Sequence, residues 1–501
     1  MKVLDIIQEP LKKKKPAQEL TADHIFTDIL HNIAAIDFRK EAFPEVEKLY
    51  KEHEEASADD KEEIQKKILK FKVQNKHYIV IVIDEVLRIS DQKKLNICLH
   101  NSSTYLYNGK NWENVEEQKM RSFLGKCAQK MKVPKFEARY FDFADKLHKQ
   151  FIATAYLPKP KADKEKVLIN FQNGTLEITT KGYILREHRP EDFLTYVLPF
   201  AYDPKATAPT FENYLNDVME ADKQQVISEY FGYLFLKNGI LKLEKVLLLY
   251  GTGANGKSVM FEVLNALLGA ENVANFGLPS LTNDNGYYRA KIADKLVNYA
   301  SEISGNLEVS AFKLLASGEP IEARLPYGEP FTLRNYAKLV FNTNELPKTV
   351  EHTNAFFRRF IIIHFAKTIP TEKQDKNLHN KIIDSELSGV FNWVLSGLTR
   401  LIKQGNFTDS ESVSKAVSDY RTESDPVQLF LNEFGYSSGS TPKPLKELYA
   451  SFRDFCYDNG FKTPSNRTFS DRLKNLGFDM DKRNYGLAIY LKSDKGDGSD
   501  A

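Results

Sequence analysis

The spacing of apolar residues divides the chain into helical and strand-like stretches. Phe211, Tyr214, Leu215 and Val218 recur every three or four positions, as do Val226, Ile227, Tyr230, Phe231 and Leu234. Both sets predict amphipathic helices within residues 209–238. Residues 245–250 (KVLLLY), 296–300 (LVNYA), 338–341 (KLVF) and 360–365 (FIIIHF) are continuous apolar runs that predict buried strands. Strands and helices alternate over 242–366, which predicts an α/β layer. Residues 78–83 (YIVIVI) also read as a short strand, with Asp84 and Glu85 behind them. Asn108-Gly109 and Asn173-Gly174 predict hairpin turns. Near the C-terminus, Leu445, Leu448, Phe452 and Phe455 share one helical face. Phe469, Leu473 and Leu476 share another, leaving Arg467, Arg472 and Lys474 to the polar side.

These patterns predict seven regions: a charged, largely helical arm (1–70, with a basic run at 12–15), a small α+β domain (71–165), a pre-core region (166–240), an α/β core (241–370), a helical lid or linker (371–435), a small C-terminal unit (436–492) and a polar tail (493–501). Residues 158–166 read as a Pro/Lys linker. The Ser/Gly/Pro-rich stretch 437–444 reads as a boundary.

The 501 residues carry 70 Lys+Arg against 68 Asp+Glu, a net charge of +2. That balance argues against a protein that coats nucleic acid over its whole surface, and leaves a local basic channel open. No apolar run reaches the roughly 18 residues of a membrane helix, and the first 15 residues lack a signal-peptide core. The three cysteines form no CxxC pair. Together these predict a reducing, cytoplasmic setting.

Gly251, Thr252, Gly253, Ala254, Asn255, Gly256, Lys257 and Ser258 spell G-x4-G-K-S between a buried-type strand and a helix over 259–268. Glycines let backbone N–H groups turn toward phosphates, the helix N-terminus adds positive potential, Lys257 reaches the β/γ-phosphates, and the Ser258 hydroxyl binds Mg²⁺. The run 296–300 leads to Glu302, placed to polarise water and support Mg²⁺; alone, such a glutamate merely ends a strand. Asn344 follows the run 338–341, where an amide could orient a γ-phosphate; alone, it is ordinary turn chemistry. Arg358 and Arg359 precede the run 360–365, where a guanidinium could reach a neighbour's phosphate. An isolated Arg pair is more often a surface ion-pair element.

Taken together, GTGANGKS, LVNYASE, FKLLASGEPIEARLPYGEPF, KLVFNTNELP and AFFRRFIIIHF resemble the superfamily 3 helicases of the phage/plasmid D5-like, P4-type primase-helicase group. The likeness is strong over residues 167–370, and 425–492 resembles that group's C-terminal winged helix. The resemblance implies an AAA+-like P-loop NTPase core with an α+β N-terminal region and a C-terminal winged helix. It implies ATP and Mg²⁺ as ligands and a ring, usually a hexamer, around DNA. Gly251, Gly256, Lys257 and Ser258 would be Walker A, Glu302 the Walker B acid, Asn344 the sensor, and Arg359 the arginine finger with Arg358 as the fallback. Residues 313–334 would form a hairpin projecting into the pore, with Lys313, Arg324 and Tyr327 touching DNA. Glu329 stands at the tip where Lys or His is usual. Residues 465–476 would be a recognition helix, with Arg467, Arg472 and Lys474 on duplex DNA.

Residues 441–492 hold ten Lys/Arg and six Asp/Glu, so the unit is locally basic; protein docking is the competing reading. Asp479-Met480-Asp481 reads as a wing rather than a metal site, so primer synthesis is expected from a separate primase or polymerase. The competing functions are an origin-binding initiator or switch ATPase, the helicase part of a primase-helicase, and a packaging or partition ATPase.

Overall fold

The structure is a computed structural model. It describes residues 21–93, 97–100, 103–155, 166–179, 181–237, 239–301, 303, 307–326, 328–346, 353–461 and 463–493. The expected basic run at 12–15, most of the 158–166 linker, Glu302, Tyr327 and all of the tail but its first residue lie outside them. The chain forms two compact units, 1–202 and 203–501. The expected pre-core region 166–240 is therefore divided: its strands belong to the first unit and its helices to the second.

The first unit packs helices around Ile25, Val82, Phe123, Leu147 and Phe151. It carries two three-stranded antiparallel meanders, one built around each predicted Asn-Gly turn. Residues 78–83 are not a strand. They lie within the helix Asn75–Gln92, whose buried positions Ile79, Val82, Ile83, Val86 and Ile89 follow helical spacing. A short β-branched run fits either period, and here the longer pattern beyond it decides. Glu85 pairs with Arg88 one turn on, a surface contact.

The second unit is built on a five-stranded parallel sheet. Its order is Phe360–His364, Val246–Tyr250, Lys338–Thr343, Val297–Ala300, Val273–Ala274. Val246, Leu247, Leu248 and Leu249 are all fully buried. A parallel sheet is covered on both faces, which is why these strands read as unbroken apolar runs. The helix Leu378–Gln404 packs on Pro209–Val218 and Ala221–Tyr233, and Tyr230 of the latter donates to Leu339 O in the sheet at 2.7 Å. Gly397 approaches the Ser228 backbone so closely that an added Cβ would sit 2.3 Å from its carbonyl carbon. Glu229, fully buried, is held there by Arg400 and by Thr408. No helix among the described residues is long and apolar enough to cross a membrane.

The C-terminal unit starts earlier than its sequence boundary. Val427, Phe430 and Leu431 from the helix Pro426–Glu433 share one core with Leu448, Phe452, Phe469, Leu473 and Ile489. The Ser/Gly/Pro stretch expected to mark a boundary is part of the unit's sheet: Tyr436–Pro444 is a strand paired antiparallel with Gly486–Ser493, which also pairs with Met480–Arg483. Its prolines are tolerated because this is an edge strand with a register shift between Ser438 and Thr441.

Candidate phosphate site and nucleic-acid elements

The strand Val246–Tyr250 ends at Gly251, and the helix Lys257–Leu268 begins six residues later. A Cβ on Gly251 would meet Asn255 Nδ2 at 2.3 Å and the Phe365 carbonyl oxygen at 2.7 Å, so only glycine fits. Gly256 has φ +92°, a conformation suited to glycine, and its Cα faces Tyr214 and Val218. Tyr214 donates to the Gly256 carbonyl at 2.9 Å. The loop is pinned elsewhere by Ile369 N to Ala254 O at 2.7 Å and Gly251 N to Thr343 O at 3.2 Å.

Lys257 is buried inside this turn. Its Nζ donates to Gly251 O at 2.5 Å and to Asn255 Oδ1 at 3.1 Å. Burial pushes its pKa below the ordinary lysine value. Asn255 also donates to Phe365 O at 3.3 Å. Thr252, Ala254 and Ser258 face solvent at the rim, with Gly253 half-buried between them. A lysine at the first position of a helix that follows a glycine-rich turn is suited to meet an anion.

The strand Val297–Ala300 ends at the same edge as the loop, since Ala300 pairs with Phe341. Glu302 follows it, outside the described residues. Asn344 stands one residue beyond the Thr343–Tyr250 pair, level with Gly251, and is exposed. Its neighbour Asn342 is buried and accepts from Tyr299 Oη at 2.9 Å. His364 packs on Tyr250 in a tilted pair with ring centroids 4.9 Å apart. Burial, then the charge of Lys223, holds its pKa below the usual imidazole value; Lys257 adds to this and Glu220 opposes it.

The arginines stand at the other end of the sheet. Arg359 O accepts from Val246 N at 2.7 Å, at the start of the strand whose far end carries the loop. Four strand rises separate the two, about 13 Å. The pair differ in exposure, and the residue expected to reach outward is the interior one. Arg359 is buried, and its guanidinium is tied to Ala355 O and to Ser317 Oγ. Arg358 is exposed and pairs with Glu244 at 2.9 Å. Arg359 immediately precedes the buried run Phe360–Ile363 and finds Ser317, 42 residues away, whereas Arg358 caps the short helix Asn354–Phe357.

Ile321–Ala323 and Phe331–Leu333 form the expected antiparallel hairpin, in register Ile321–Leu333. Leu325 and Phe331 are exposed on it. Arg324 Nη2 donates to Tyr287 Oη at 3.1 Å and its guanidinium lies over that ring. Lys313 lies half-buried on the helix Val309–Ser317. Tyr327 is outside the described residues. On the helix Asn466–Asn475, Arg467 and Lys474 are exposed. Arg472 is not on the open side: it is ion-paired to Asp425, the N-cap of Pro426–Glu433. Asp481 accepts from Tyr490 Oη at 2.9 Å and from Arg483, a cross-strand contact. No group of three or more His, Cys, Asp or Glu side chains among the described residues is arranged to hold a metal.

Sequence reasoning missed Tyr214, Asn255 as a brace, and Glu244. Tyr214 was legible only as an apolar helical position, because its hydroxyl partner is 42 residues away.

In this parallel α/β layer a glycine-rich loop joins the carboxyl end of a core strand to a helix. Three family models match: "D5 N terminal like" over residues 75–220, "Poxvirus D5 protein-like" over 422–489, and a family of unknown function, DUF5906, over 249–359. Two of the three are D5-type models, so the chain is similar to the D5-like primase-helicase family at both places they match. A mimivirus protein named "Putative helicase L207/L206" (Acanthamoeba polyphaga mimivirus) is 23% identical over 330 residues, 59% of this chain. The chain spans about a third (34%) of that relative's length. Among solved structures, two apo forms of the NrS-1 C-terminal region are 12% identical, with TM-scores of 0.45 and 0.46. Each match covers 83% of this chain and 99% or 100% of the other.

Proposed function

We propose that this chain is an ATP-dependent DNA helicase whose subunits form a ring, most simply a hexamer, and translocate on DNA. One observation carries the reading: the loop that cradles phosphate and the exposed arginine lie at opposite ends of one sheet. Arg358 cannot reach its own subunit's loop. It can reach a neighbour's when copies pack head to tail, and a head-to-tail contact that closes makes a ring.

ATP would lie with its phosphates on the Gly251–Ser258 amides and Lys257 on the β/γ-phosphates. The residues fit that role, since the loop needs glycine at Gly251 and buries an ammonium. Mg²⁺, when bound, would neutralise the phosphate charge, held by the Ser258 hydroxyl, with Glu302 as its acid. Asn344, level with Gly251, would orient the γ-phosphate and water. Arg358 from the neighbour would stabilise the charge that develops on the transferred phosphoryl group. The hairpin, through Lys313, Arg324 and Tyr327, would grip single-stranded DNA. Arg467 and Lys474 would meet duplex.

Strand displacement on a forked duplex, wild type against Lys257→Ala, tests this. ATP-dependent displacement by wild type alone is the expected result. DNA-stimulated hydrolysis without displacement would favour an origin-bound initiator instead, a reading that the C-terminal basic helix also suits.

A further inference from the structure

Glu244 sits in the connection entering the strand Val246–Tyr250, with φ +56°. A glutamate in the left-handed region is uncommon and persists only where its surroundings hold it. Its carboxylate faces three cations, and Oε2 lies 3.9 Å from Arg359 Nη2. Oε2 accepts from Arg358 Nη2 at 2.9 Å, and Oε1 lies 3.4 Å from Lys242 Nζ. Lys242 Nζ in turn donates to Glu319 Oε1 at 3.1 Å.

Glu319 stands two residues before the hairpin strand Ile321–Ala323, just past Gly318, which ends the helix Val309–Ser317. Tyr336 Oη, beyond the hairpin's second strand, points at the carbonyls of Glu319 at 2.8 Å and Leu314 at 3.0 Å. The same helix end is tied to the arginine pair a second time, by Arg359 Nη2 to Ser317 Oγ at 3.1 Å. A continuous polar chain, Arg358–Glu244–Lys242–Glu319, therefore joins the exposed arginine to the base of the hairpin. None of its last three members belongs to the phosphate loop or to the DNA contacts.

We propose that this chain of ion pairs couples nucleotide contact at Arg358 to the position of the hairpin. Glu244 is a positioning residue that sets where the Arg358 guanidinium points. Lys242 and Glu319 carry the change to the hairpin base. Exposed ion pairs of this kind are individually weak, so a neighbour's phosphate can compete for Arg358. When it does, Glu244 is left with Lys242 and the more distant Arg359, and the Lys242–Glu319 contact is redistributed. The proposal rests on the ring-motor reading above.

The test is ATP hydrolysis by the full chain with and without a single-stranded oligothymidylate. Glu319→Gln and Lys242→Met are expected to leave DNA-free hydrolysis within about twofold of wild type, as for loss of an exposed pair. Both should reduce DNA stimulation at least about fivefold, the lower range of allosteric coupling. Lys242→Arg, which keeps the charge, should retain stimulation. Glu244→Gln combined with Glu319→Gln should be no worse than the more severe single variant, because both cut one chain. Wild-type stimulation in Glu319→Gln, or fully additive losses in the double variant, overturns the coupling. Wild-type hydrolysis that DNA does not stimulate overturns the coupling and spares the ATPase assignment; no hydrolysis at all overturns both.

Discussion

The Tyr214 hydroxyl donates to the Gly256 carbonyl at 2.9 Å, while its ring meets the space that a Gly256 side chain would need. A helix that precedes the core in sequence thus sets the geometry of the turn into the Lys257 helix. Tyr214→Phe keeps the ring and removes the bond, leaving a buried carbonyl short of a partner. We expect a loss of about 1–2 kcal/mol in stability and a several-fold weaker nucleotide affinity. Thermal unfolding and a fluorescent-nucleotide titration measure the two. Gly256→Ala should be worse, since it adds the φ strain and contacts at 3.0 Å to Tyr214 and Val218.

Arg358 and Arg359 should separate cleanly. Arg358→Ala is expected to abolish hydrolysis, keep ATP binding and change stability by less than about 0.5 kcal/mol, as an exposed side chain should. Arg359→Ala removes a buried guanidinium with two partners and should cost about 1–3 kcal/mol. Mixing Arg358→Ala with Lys257→Ala subunits should restore some hydrolysis, because one interface then pairs an intact loop with an intact arginine. Mixtures as inactive as their components would rule out a shared site.

Lys338 gives a pH signature. It is half-buried beside Tyr233, with Nζ 3.2 Å from the Tyr233 hydroxyl and 4.3 Å from its ring centroid. Burial lowers its pKa from 10.5 to about 8. Between these values the unfolded chain holds the proton and the folded chain does not, so stability rises with pH across that window. Lys338→Met should remove this rise and be the more stable protein, relative to wild type, at pH 7. Chemical denaturation of both proteins from pH 7 to 10 reads the difference; parallel curves would contradict the assignment.

On the helix Asn466–Asn475, Arg467→Ala and Lys474→Ala should each weaken duplex binding and lower the salt slope of the affinity by about one. Arg472→Ala should instead loosen the attachment of this helix to Pro426–Glu433, seen as a lower melting temperature, because its partner Asp425 is buried. Equal salt effects from all three would place Arg472 on the DNA face after all.

The glycine loop, the parallel-sheet strands, both Asn-Gly hairpins and the main helices of the second unit were legible in the sequence. Each rests on local chemistry: a left-handed turn needs glycine, and a strand covered on both faces must be apolar throughout. The run 78–83 misled because six β-branched and aromatic residues satisfy either period. The stretch 437–444 misled because its composition is that of a loop, while its backbone finds a partner strand about 50 residues later.

The sequence by itself determined where the glycine-rich loop stands and which apolar runs become core strands, since both depend on neighbours along the chain. Tertiary structure alone decided that Tyr214 braces the loop, that Arg359 is interior and Arg358 exposed, that Arg472 faces Asp425, and that Glu244 binds Arg358. Those outcomes depend on which distant side chain fills the space beside each residue, and no local pattern encodes that.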